Sequence, residues 1–243
     1  MRYWLVMPAA GASLRFGGAS RKQYLPLAGH TVIETALRLF VDDTRCQAIA
    51  LAMSADARAD VALLGRLPAK VAPIAGGAQR CDSVLLGLEA LAARAAANDW
   101  VLVHDAVRPC LSARDLECLL AAGAAHEEGA LLAAPVTDTL KQSNAAGASE
   151  RTVERSALWR ALTPQMFRFE PLRAALRAAS AAGRAPTDEA QAIEWQGGHP
   201  LLVAAQDSNI KITHREDLVL ASAVIAARAV EPTREHSQSG ERS

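Results

Sequence analysis

The loop after the first apolar segment of the chain carries small residues and then cations. In chain order these residues are Ala9, Ala10, Gly11, Arg15, Arg21 and Lys22. Small residues let backbone N–H groups approach an anion closely, and the cations add the charge that suits a triphosphate. The segment has neither the P-loop pattern nor the G-x-G-x-x-G pattern of dinucleotide-binding proteins. A strand-to-helix turn with a solvated basic loop is the alternative interpretation.

A second group of small residues, Gly76, Gly77 and Ala78, ends another short apolar segment. Ser83 follows near the expected start of a helix. Exposed backbone groups in such a glycine turn can hydrogen-bond the edge of a nucleotide base. A plain turn followed by a helix N-cap at Asp82 or Ser83 explains the same residues without a ligand.

An acidic residue, Asp105, follows the most apolar segment of the chain, and Arg108 comes soon after it. A carboxylate suits Mg²⁺, which usually keeps the phosphates of a substrate among its ligands. Arg108 can neutralise a second phosphate. A structural Asp–Arg corner is the alternative, and we expect the neighbouring His104 to be structural. Asp105 is therefore our candidate metal ligand.

The second half of the chain contains separate hydroxyl-bearing and cationic residues that suit a second phosphorylated ligand. They include Thr139, Lys141, Arg155, Thr163, Thr187 and Lys211. No serine lies in a G-x-S-x-G pattern, and no histidines and cysteines have zinc spacing. The candidate residues therefore form binding sites for phosphate groups, together with one carboxylate that suits Mg²⁺. Such a set indicates phosphoryl or nucleotidyl transfer, in which positioning of the substrates and stabilisation of charge carry most of the catalysis.

The composition is that of an ordinary globular protein. The 243 residues contain 26 basic and 26 acidic side chains, and aromatic residues make up 4%. A chain without excess positive charge and with few aromatics does not suit nucleic-acid binding. Only four of the basic residues are lysines, so each lysine is a candidate phosphate ligand. No apolar stretch approaches ~18 residues, no secretory signal is visible and no C-x-x-C pair occurs, so we expect a cytoplasmic protein that does not enter a membrane.

Apolar segments alternate with helical patterns along most of the chain. The expected strands are residues 3–8, 48–53, 71–75, 100–104, 130–136, 201–204 and 210–212. The expected helices are residues 31–40, 56–64, 83–97, 112–124, 170–182, one opening at 186–189, and 213–230. Thr31 with Glu34, and Thr213 with Glu216, form capping-box patterns. This alternation predicts an α/β fold, a mainly parallel sheet with helices on both faces, whose ligands bind at the carboxyl ends of strands.

Residues 137–155 interrupt this alternation. The segment is polar and has no helical apolar face, which predicts either a disordered loop or an extended β-arm. We treat residues 1–230 as one domain that includes this arm. Residues 231–243 are polar and charged, and we expect them to form a flexible tail.

The motifs, taken in chain order, resemble those of the 2-C-methyl-D-erythritol 4-phosphate cytidylyltransferases, from residue 3 to about residue 227. They are PAAG with a later Arg and KQY at 8–24, GG with R-x-DSV at 76–84, HDA-x-RP at 104–109, DTLK at 138–141, LTPQ at 162–165, TDEA at 187–190 and NIK-x-T at 209–213. The resemblance implies a Rossmann-like nucleotidyltransferase fold, CTP, Mg²⁺, a polyol phosphate acceptor and a homodimer.

The resemblance also implies a role for each candidate residue. It assigns the nucleotide to Ala9, Ala10, Gly11, Gly77, Ala78, Ser83 and Asp105. It assigns catalysis to Arg15 and Lys22, and the metal to Asp105. It assigns the methylerythritol phosphate to Arg108, Thr139, Arg155, Thr187 and Lys211. Thr139 and Arg155 would reach the site on the arm of the partner subunit.

The chain departs from the family pattern at three positions. Ser13 stands where glycine is usual, Arg21 where proline is usual, and Ala78 where an acidic residue is often found.

The implied reaction is an in-line attack by the acceptor phosphate on the α-phosphorus of CTP, with pyrophosphate leaving. A phosphate monoester is already anionic and needs no general base, which agrees with the missing nucleophile–base pair. A ribitol 5-phosphate cytidylyltransferase, a sugar-phosphate nucleotidyltransferase with another base, and a non-catalytic nucleotide-sensing module remain alternatives.

Overall fold

The computed structural model of the chain describes residues 1–11, 21–206 and 208–230. The central sheet has seven strands: β1 (Tyr3–Pro8), β4 (Cys46–Met53), β5 (Val71–Ala75), β6 (Trp100–Val103), β7 (Ala130–Pro135), β10 (Trp159–Arg168) and β11 (Leu201–Ala204). Two small hairpins pair β2 (Pro26–Leu27) with β3 (His30–Thr31), and β8 (Leu140–Ser143) with β9 (Ser149–Val153). The helices are α1 (Val32–Asp42), α2 (Ala55–Ala59), α3 (Val61–Leu64), α4 (Arg80–Leu91), α5 (Ala113–Ala124), α6 (Phe169–Ala181), α7 (Glu189–Glu194) and α8 (Glu216–Val230).

The strand order of the central sheet is β11-β7-β10-β6-β1-β4-β5. Strand β10 is antiparallel to both of its neighbours, and the other strand pairs are parallel, so the predicted mainly parallel sheet is confirmed. Strands β4 and β5, which follow β1 along the chain, lie on one side of β1, and the next strand, β6, lies on its other side. The switch point of the sheet therefore lies between β1 and β6, where ligands bind in folds of this class.

Helices cover both faces of the sheet, as predicted. Alternation along β1 directs Tyr3, Leu5 and Met7 into one core cluster and Trp4 and Val6 into another. Helices α1 and α5 contribute buried residues to the first cluster, and helices α4, α6 and α7 contribute to the second. Each strand near the centre is thus buried on both sides, which is typical of α/β proteins.

Strand β10 is an element that the sequence analysis missed. It contains Pro164, which cannot donate a ladder hydrogen bond, and its pairing with β7 shifts register between Ala161 and Gln165. The polar LTPQ motif occupies this irregular part, so the segment has no clear strand pattern. Because β10 lies between β6 and β7, it brings Thr163 beside the carboxyl end of β6.

Several local predictions about helix ends are confirmed. Thr31 and Glu34 form the predicted capping box of α1, and the hydroxyl of Ser112 accepts a hydrogen bond from the N–H of Asp115. The predicted helix 56–64 was wrong as one element, because Asp60 adopts an extended conformation and its side chain caps α3.

Two other helices begin differently from the prediction. Helix α4 begins at Arg80 because Gln79 and Asp82 form a capping box, and it ends earlier than expected. Near the start of α8, the carboxylate of Asp217, not that of the predicted Glu216, accepts a hydrogen bond from the N–H of Thr213.

The polar segment 137–155 forms an exposed hairpin from β8 and β9, which is the predicted arm. Residues 210–212, predicted as a strand, lie in irregular structure. The predicted flexible tail, residues 231–243, lies outside the described residues. Among the described helices, none has the length and apolar character that crossing a membrane requires.

Candidate active site

An open cleft of about 730 Å³ lies at the switch point of the sheet, where the loops after β1, β5 and β6 meet. These are the loops that the sequence analysis singled out, because they follow the carboxyl ends of parallel strands. The structure brings nine of the predicted residues to the wall of this cleft: Ala9, Ala10, Gly11, Lys22, Gly77, Ala78, Ser83, Asp105 and Lys211.

The loops after β1 and β5 touch each other closely. A Cβ atom at Gly76 would lie 2.3 Å from the Cβ atom of Ala10, so only glycine fits there without a shift. The hydroxyl of Ser83 accepts a hydrogen bond from the N–H of Gly77 at 3.0 Å and donates one to the carbonyl of Gln79 at 3.1 Å. The first turn of α4 therefore fixes the glycine turn against the loop after β1.

The loop after β1 is held by the two residues that flank Lys22. Gln23 is buried, and its Nε2 donates a hydrogen bond to the carbonyl of Ala9 at 2.7 Å. Arg21 Nη1 donates to the carbonyl of Ala10 at 3.0 Å. Lys22 lies between these two anchors and lines the cleft. The small-residue loop and the lysine are thus fixed relative to each other.

Asp105 lies at the cleft among three cations. Its Oδ1 accepts a hydrogen bond from Nε of Arg80 at 2.8 Å, and its Oδ2 is 2.8 Å from Nζ of Lys211. Nε of Arg108 is 3.9 Å from the same Oδ2. Burial alone would raise the pKa of Asp105, but the charges of Arg80 and Lys211 outweigh burial and hold that pKa well below its usual range. Asp105 is therefore ionised at physiological pH.

Glu189 is a residue of this site that the sequence analysis missed as a candidate. Its carboxylate oxygens accept hydrogen bonds from Nη1 and Nη2 of Arg80 at 2.7 and 3.0 Å. Burial raises the pKa of Glu189, whereas the charge and hydrogen bonds of Arg80 favour the ionised carboxylate. Two parallel hydrogen bonds between a guanidinium and a carboxylate are the geometry of an ion pair. A glutamate in the first turn of a helix is commonly explained by a favourable interaction with the helix dipole. The sequence therefore does not indicate that Glu189 pairs with Arg80.

A smaller pocket of about 210 Å³ adjoins the cleft and shares Arg80, Asp105 and Lys211 with it. Arg108 and Thr187, both predicted as substrate ligands, also line this pocket. Nε of Arg108 is buried and has no hydrogen-bond partner among the described residues. Three cationic side chains, Arg80, Arg108 and Lys211, line the pocket, so it suits an anion.

His104 is structural, as expected from its place at the end of a strand. It is fully buried; its Nε2 lies 3.0 Å from the carbonyl of Arg108 and its Nδ1 lies 3.1 Å from Oγ1 of Thr163. Burial lowers the pKa of His104 to about 4, so the ring is neutral with its proton on Nε2. Thr163 Oγ1 also accepts the N–H of Asp105 at 3.0 Å, which positions that residue from β10.

Two predicted substrate residues lie away from both cavities. Thr139 and Arg155 stand at the base of the β8–β9 arm, and both are exposed. The guanidinium of Arg155 contacts the carbonyl of Thr137. Within this single chain they join neither cavity. Arg15, a predicted catalytic residue, and Ser13, where the chain departs from the family pattern, lie outside the described residues.

Asp105 is the carboxylate of the cleft wall that could hold a magnesium ion. In the described part of the chain, no three His, Cys, Asp or Glu side chains are grouped to hold a metal. Mg²⁺ does not need such a group, because one or two carboxylates with substrate phosphates and water suffice. Asp105 is ionised and faces both cavities. Lys211 is half-exposed and pairs with Oδ2 of Asp105 at 2.8 Å, so Asp105 would hold the ion only if this pair were rearranged.

The chain matches the family model described as "IspD: 2-C-methyl-D-erythritol 4-phosphate cytidylyltransferase" over residues 3–227. It is similar to proteins of that name from two bacteria. The relative from Acidithiobacillus ferrooxidans is 49% identical over 235 residues, which cover 95% of this chain and 99% of the relative. The relative from Halorhodospira halophila is 48% identical over 242 residues, which cover 97% of this chain and 99% of the relative.

Solved structures show the same likeness. A crystal structure of 4-diphosphocytidyl-2C-methyl-D-erythritol synthase superposes with a TM-score of 0.80 at 32% identity, covering 92% of this chain and 98% of the other. The 2-C-methyl-D-erythritol 4-phosphate cytidylyltransferase of Francisella tularensis superposes with a TM-score of 0.80 at 30% identity, covering 92% of this chain and all of the other.

Proposed function

Because the chain belongs to the 2-C-methyl-D-erythritol 4-phosphate cytidylyltransferase family, it transfers a cytidylyl group from CTP to that acceptor in isoprenoid precursor biosynthesis, and we propose that the cleft and the smaller pocket form its active site. The products are 4-diphosphocytidyl-2-C-methyl-D-erythritol and pyrophosphate. The observation that carries the site assignment is the wall of Arg80, Asp105 and Lys211, which both cavities share. Two phosphorylated substrates, one in each cavity, meet at this wall.

The larger cleft is assigned to CTP. Its phosphates lie along the loop after β1, within reach of Lys22, and the cytosine lies against the glycine turn after β5. The residues of the nucleotide site are Ala9, Ala10, Gly11, Gly77, Ala78 and Ser83. We add Arg15 to the phosphate site because the family pattern assigns it there. Since the glycine turn is fixed by Ser83, its backbone groups are in place before the base arrives.

The smaller pocket is assigned to the phosphate of the acceptor. Arg108 and Lys211 supply two positive charges there, and Thr187 supplies a hydroxyl. The charge of Arg108, whose buried Nε lacks a hydrogen-bond partner within the described residues, attracts the acceptor phosphate. This assignment places the attacking oxygen next to Lys211, which also faces the CTP cleft.

The chemistry follows from this placement. An oxygen of the acceptor phosphate attacks the α-phosphorus of CTP in line, and pyrophosphate leaves from the opposite side. No proton has to be removed, because the attacking group is already an anion. Lys22 offsets the negative charge that builds on the phosphate oxygens in the transition state, and Lys211 draws the two anions together.

Asp105 is the residue that would hold Mg²⁺. The bound ion would supply charge neutralisation and orientation for the phosphate oxygens of CTP. Asp105→Asn is expected to raise the Mg²⁺ concentration that gives half-maximal activity.

The active enzyme is proposed to be a homodimer located in the cytoplasm. The arm that carries Thr139 and Arg155 packs on no core of its own, and both residues are exposed in the single chain. A second subunit gives them a place, since they can complete the partner's acceptor pocket. The cytoplasm suits the four cysteines, which are all free.

Pyrophosphate release tests the function and the site together. With Mg²⁺, the enzyme should use CTP with 2-C-methyl-D-erythritol 4-phosphate, and should turn over poorly with ribitol 5-phosphate. UTP should be a poor donor, since a buried hydrogen bond to the amino group of cytosine is worth on the order of 1–3 kcal/mol. Equal turnover with UTP would contradict the cytidylyl specificity.

The site assignment has a matched pair of lysine variants. Lys211→Ala should raise the KM of the acceptor and lower kcat, because Lys211 faces both cavities. Lys70→Ala should leave both constants within about twofold of wild type, because the ammonium of Lys70 binds backbone carbonyls of Val41 and Asp43 instead. Equal effects of the two substitutions would count against the assigned site.

A further inference from the structure

The side chain of Arg21 links two segments that flank the CTP cleft. Its Nη1 donates hydrogen bonds to the carbonyl oxygens of Ala10 and Gly11, at 3.0 and 3.3 Å. Its Nε and Nη2 each donate to one carboxylate oxygen of Asp56, both at 3.1 Å. Arg21 thus joins the loop after β1 to the first turn of α2, which follows the neighbouring strand β4.

The carbonyl groups of this loop are the part that a triphosphate must avoid. Backbone N–H groups attract phosphate oxygens, whereas carbonyl oxygens repel them. Arg21 occupies two of the carbonyls, and Gln23 Nε2 occupies those of Ala9 and Gly11 at 2.7 and 3.3 Å. Donors on Arg21 and Gln23 therefore fix the rotation of the peptides at residues 9–11 before the nucleotide binds, which reduces the cost of binding.

We propose that Arg21, held by Asp56, is a positioning residue for CTP. It keeps residues 9–11 in the conformation that receives the triphosphate, and it fixes the backbone from which Lys22 reaches the phosphates. The inference rests on the proposed function of the cleft. A guanidinium at a cleft wall can instead bind phosphate directly, but each nitrogen of Arg21 already donates to a protein acceptor.

Kinetic constants of three variants separate these two roles. Arg21→Ala should raise the KM for CTP roughly tenfold, because charge-assisted hydrogen bonds of this kind contribute about that factor. The KM for the acceptor should change less than about twofold. Arg21→Lys keeps the charge but loses the fork, so it should behave like Arg21→Ala. Asp56→Ala should raise the KM for CTP in the same direction by a smaller factor.

A direct phosphate ligand predicts a different pattern. Arg21→Lys would then stay near wild type, and Asp56→Ala would lower the KM for CTP, because a negative charge near the triphosphate is removed. Either result overturns the positioning role, and so does an unchanged KM for CTP in Arg21→Ala. Thermal unfolding of each variant shows that it is folded, so that a changed KM is not read from a damaged protein.

Arg177→Ala is the matched control. Arg177 forks onto both oxygens of Glu89 at 2.7 and 2.8 Å, between α6 and α4, and it lines neither cavity. Its loss should leave the KM for CTP unchanged, and an equal rise there would overturn the inference. Absent turnover of CTP by the wild-type enzyme would refute the proposed function and this inference with it. An active wild type with an unaltered Arg21→Ala variant would refute this inference alone.

Discussion

Arg80 and Glu189 form a forked ion pair beside the two cavities. The two terminal nitrogens of Arg80 lie 2.7 and 3.0 Å from the carboxylate oxygens of Glu189, which is fully buried. The remaining donor of the fork, Nε of Arg80, lies 2.8 Å from Asp105. Glu189 lines neither cavity, yet it determines where Arg80 lies and, through Arg80, where Asp105 lies.

Glu189→Gln tests this buried pair. Glutamine keeps the shape of the side chain but removes one of the two carboxylates that balance the charge of Arg80, which costs roughly 3 kcal/mol in a buried setting. Urea unfolding should show a loss of stability of that size, and kcat/KM should fall because Asp105 is displaced. Glu89→Gln, which weakens the more exposed pairs of Glu89 with Arg177 and Arg173, should cost less than about 1 kcal/mol. Equal losses of stability in the two variants would contradict a buried ion pair at Glu189.

Gly76→Ala tests the contact between the loops after β1 and β5. The new Cβ atom would lie 2.3 Å from the Cβ of Ala10, and such overpacking typically costs ~1–3 kcal/mol. Ala10 must shift, so the KM for CTP should rise more than the KM for the acceptor. Gly198→Ala is the control, because its Cβ would lie 2.6 Å from Cγ2 of Ile193, away from both cavities. A stability loss in both variants with an unchanged KM for CTP in both would show that the loop contact does not position the nucleotide.

The pH dependence of stability tests His104. Its pKa is about 4 in the folded protein and near 6.5 in an unfolded chain, so between these values the unfolded state binds an additional proton. Stability is then fully present above about pH 6.5 and falls as the pH decreases toward about 4. From pH 7 to pH 5 the loss should be on the order of 2 kcal/mol in the free energy of unfolding.

His104→Asn should remove this slope, whereas His30→Gln at an exposed position should keep it. Stability that does not change between pH 7 and pH 5 in the wild-type protein would show that His104 is not held neutral by burial.

The site was predictable from the sequence where its residues lie close to the ends of strands. Asp105 follows β6, and Ala9 to Gly11 follow β1, so parallel-sheet geometry alone brings these loops together. The capping box of Thr31 and Glu34 is a local interaction, and it was predictable for the same reason.

The rest of the site depends on contacts that local patterns do not carry. Glu189 and its partner Arg80 are separated by 109 residues in the sequence, and the residues around Glu189 do not indicate this pairing. Strand β10 contains Pro164 and an irregular register, which removed the alternation expected of a strand. Arg155 lies at the base of the arm and lines neither cavity of its own chain. The proposed role of Arg155 therefore depends on contacts with a second chain.

Mixing two inactive variants tests the shared site. If Lys22 acts in one subunit and Arg155 reaches the partner's site, a Lys22→Ala chain and an Arg155→Ala chain should each be nearly inactive as homodimers. In a heterodimer, one site carries both defects and the other carries none. Random exchange makes half of the dimers heterodimers, so activity should recover to roughly a quarter of wild type per site. Verified exchange without recovery would mean that Arg155 serves its own subunit.

The most direct test of the account is the effect of Lys22 on turnover. If the charge of Lys22 acts on the transition state within the cleft, Lys22→Ala should lower kcat roughly a hundredfold or more and change the KM for CTP far less. Lys22→Arg should restore only part of the rate, because the guanidinium places its charge differently. Pyrophosphate release at saturating CTP and acceptor gives this result directly. A Lys22→Ala enzyme with near-normal kcat would contradict the assignment of the cleft as the catalytic centre.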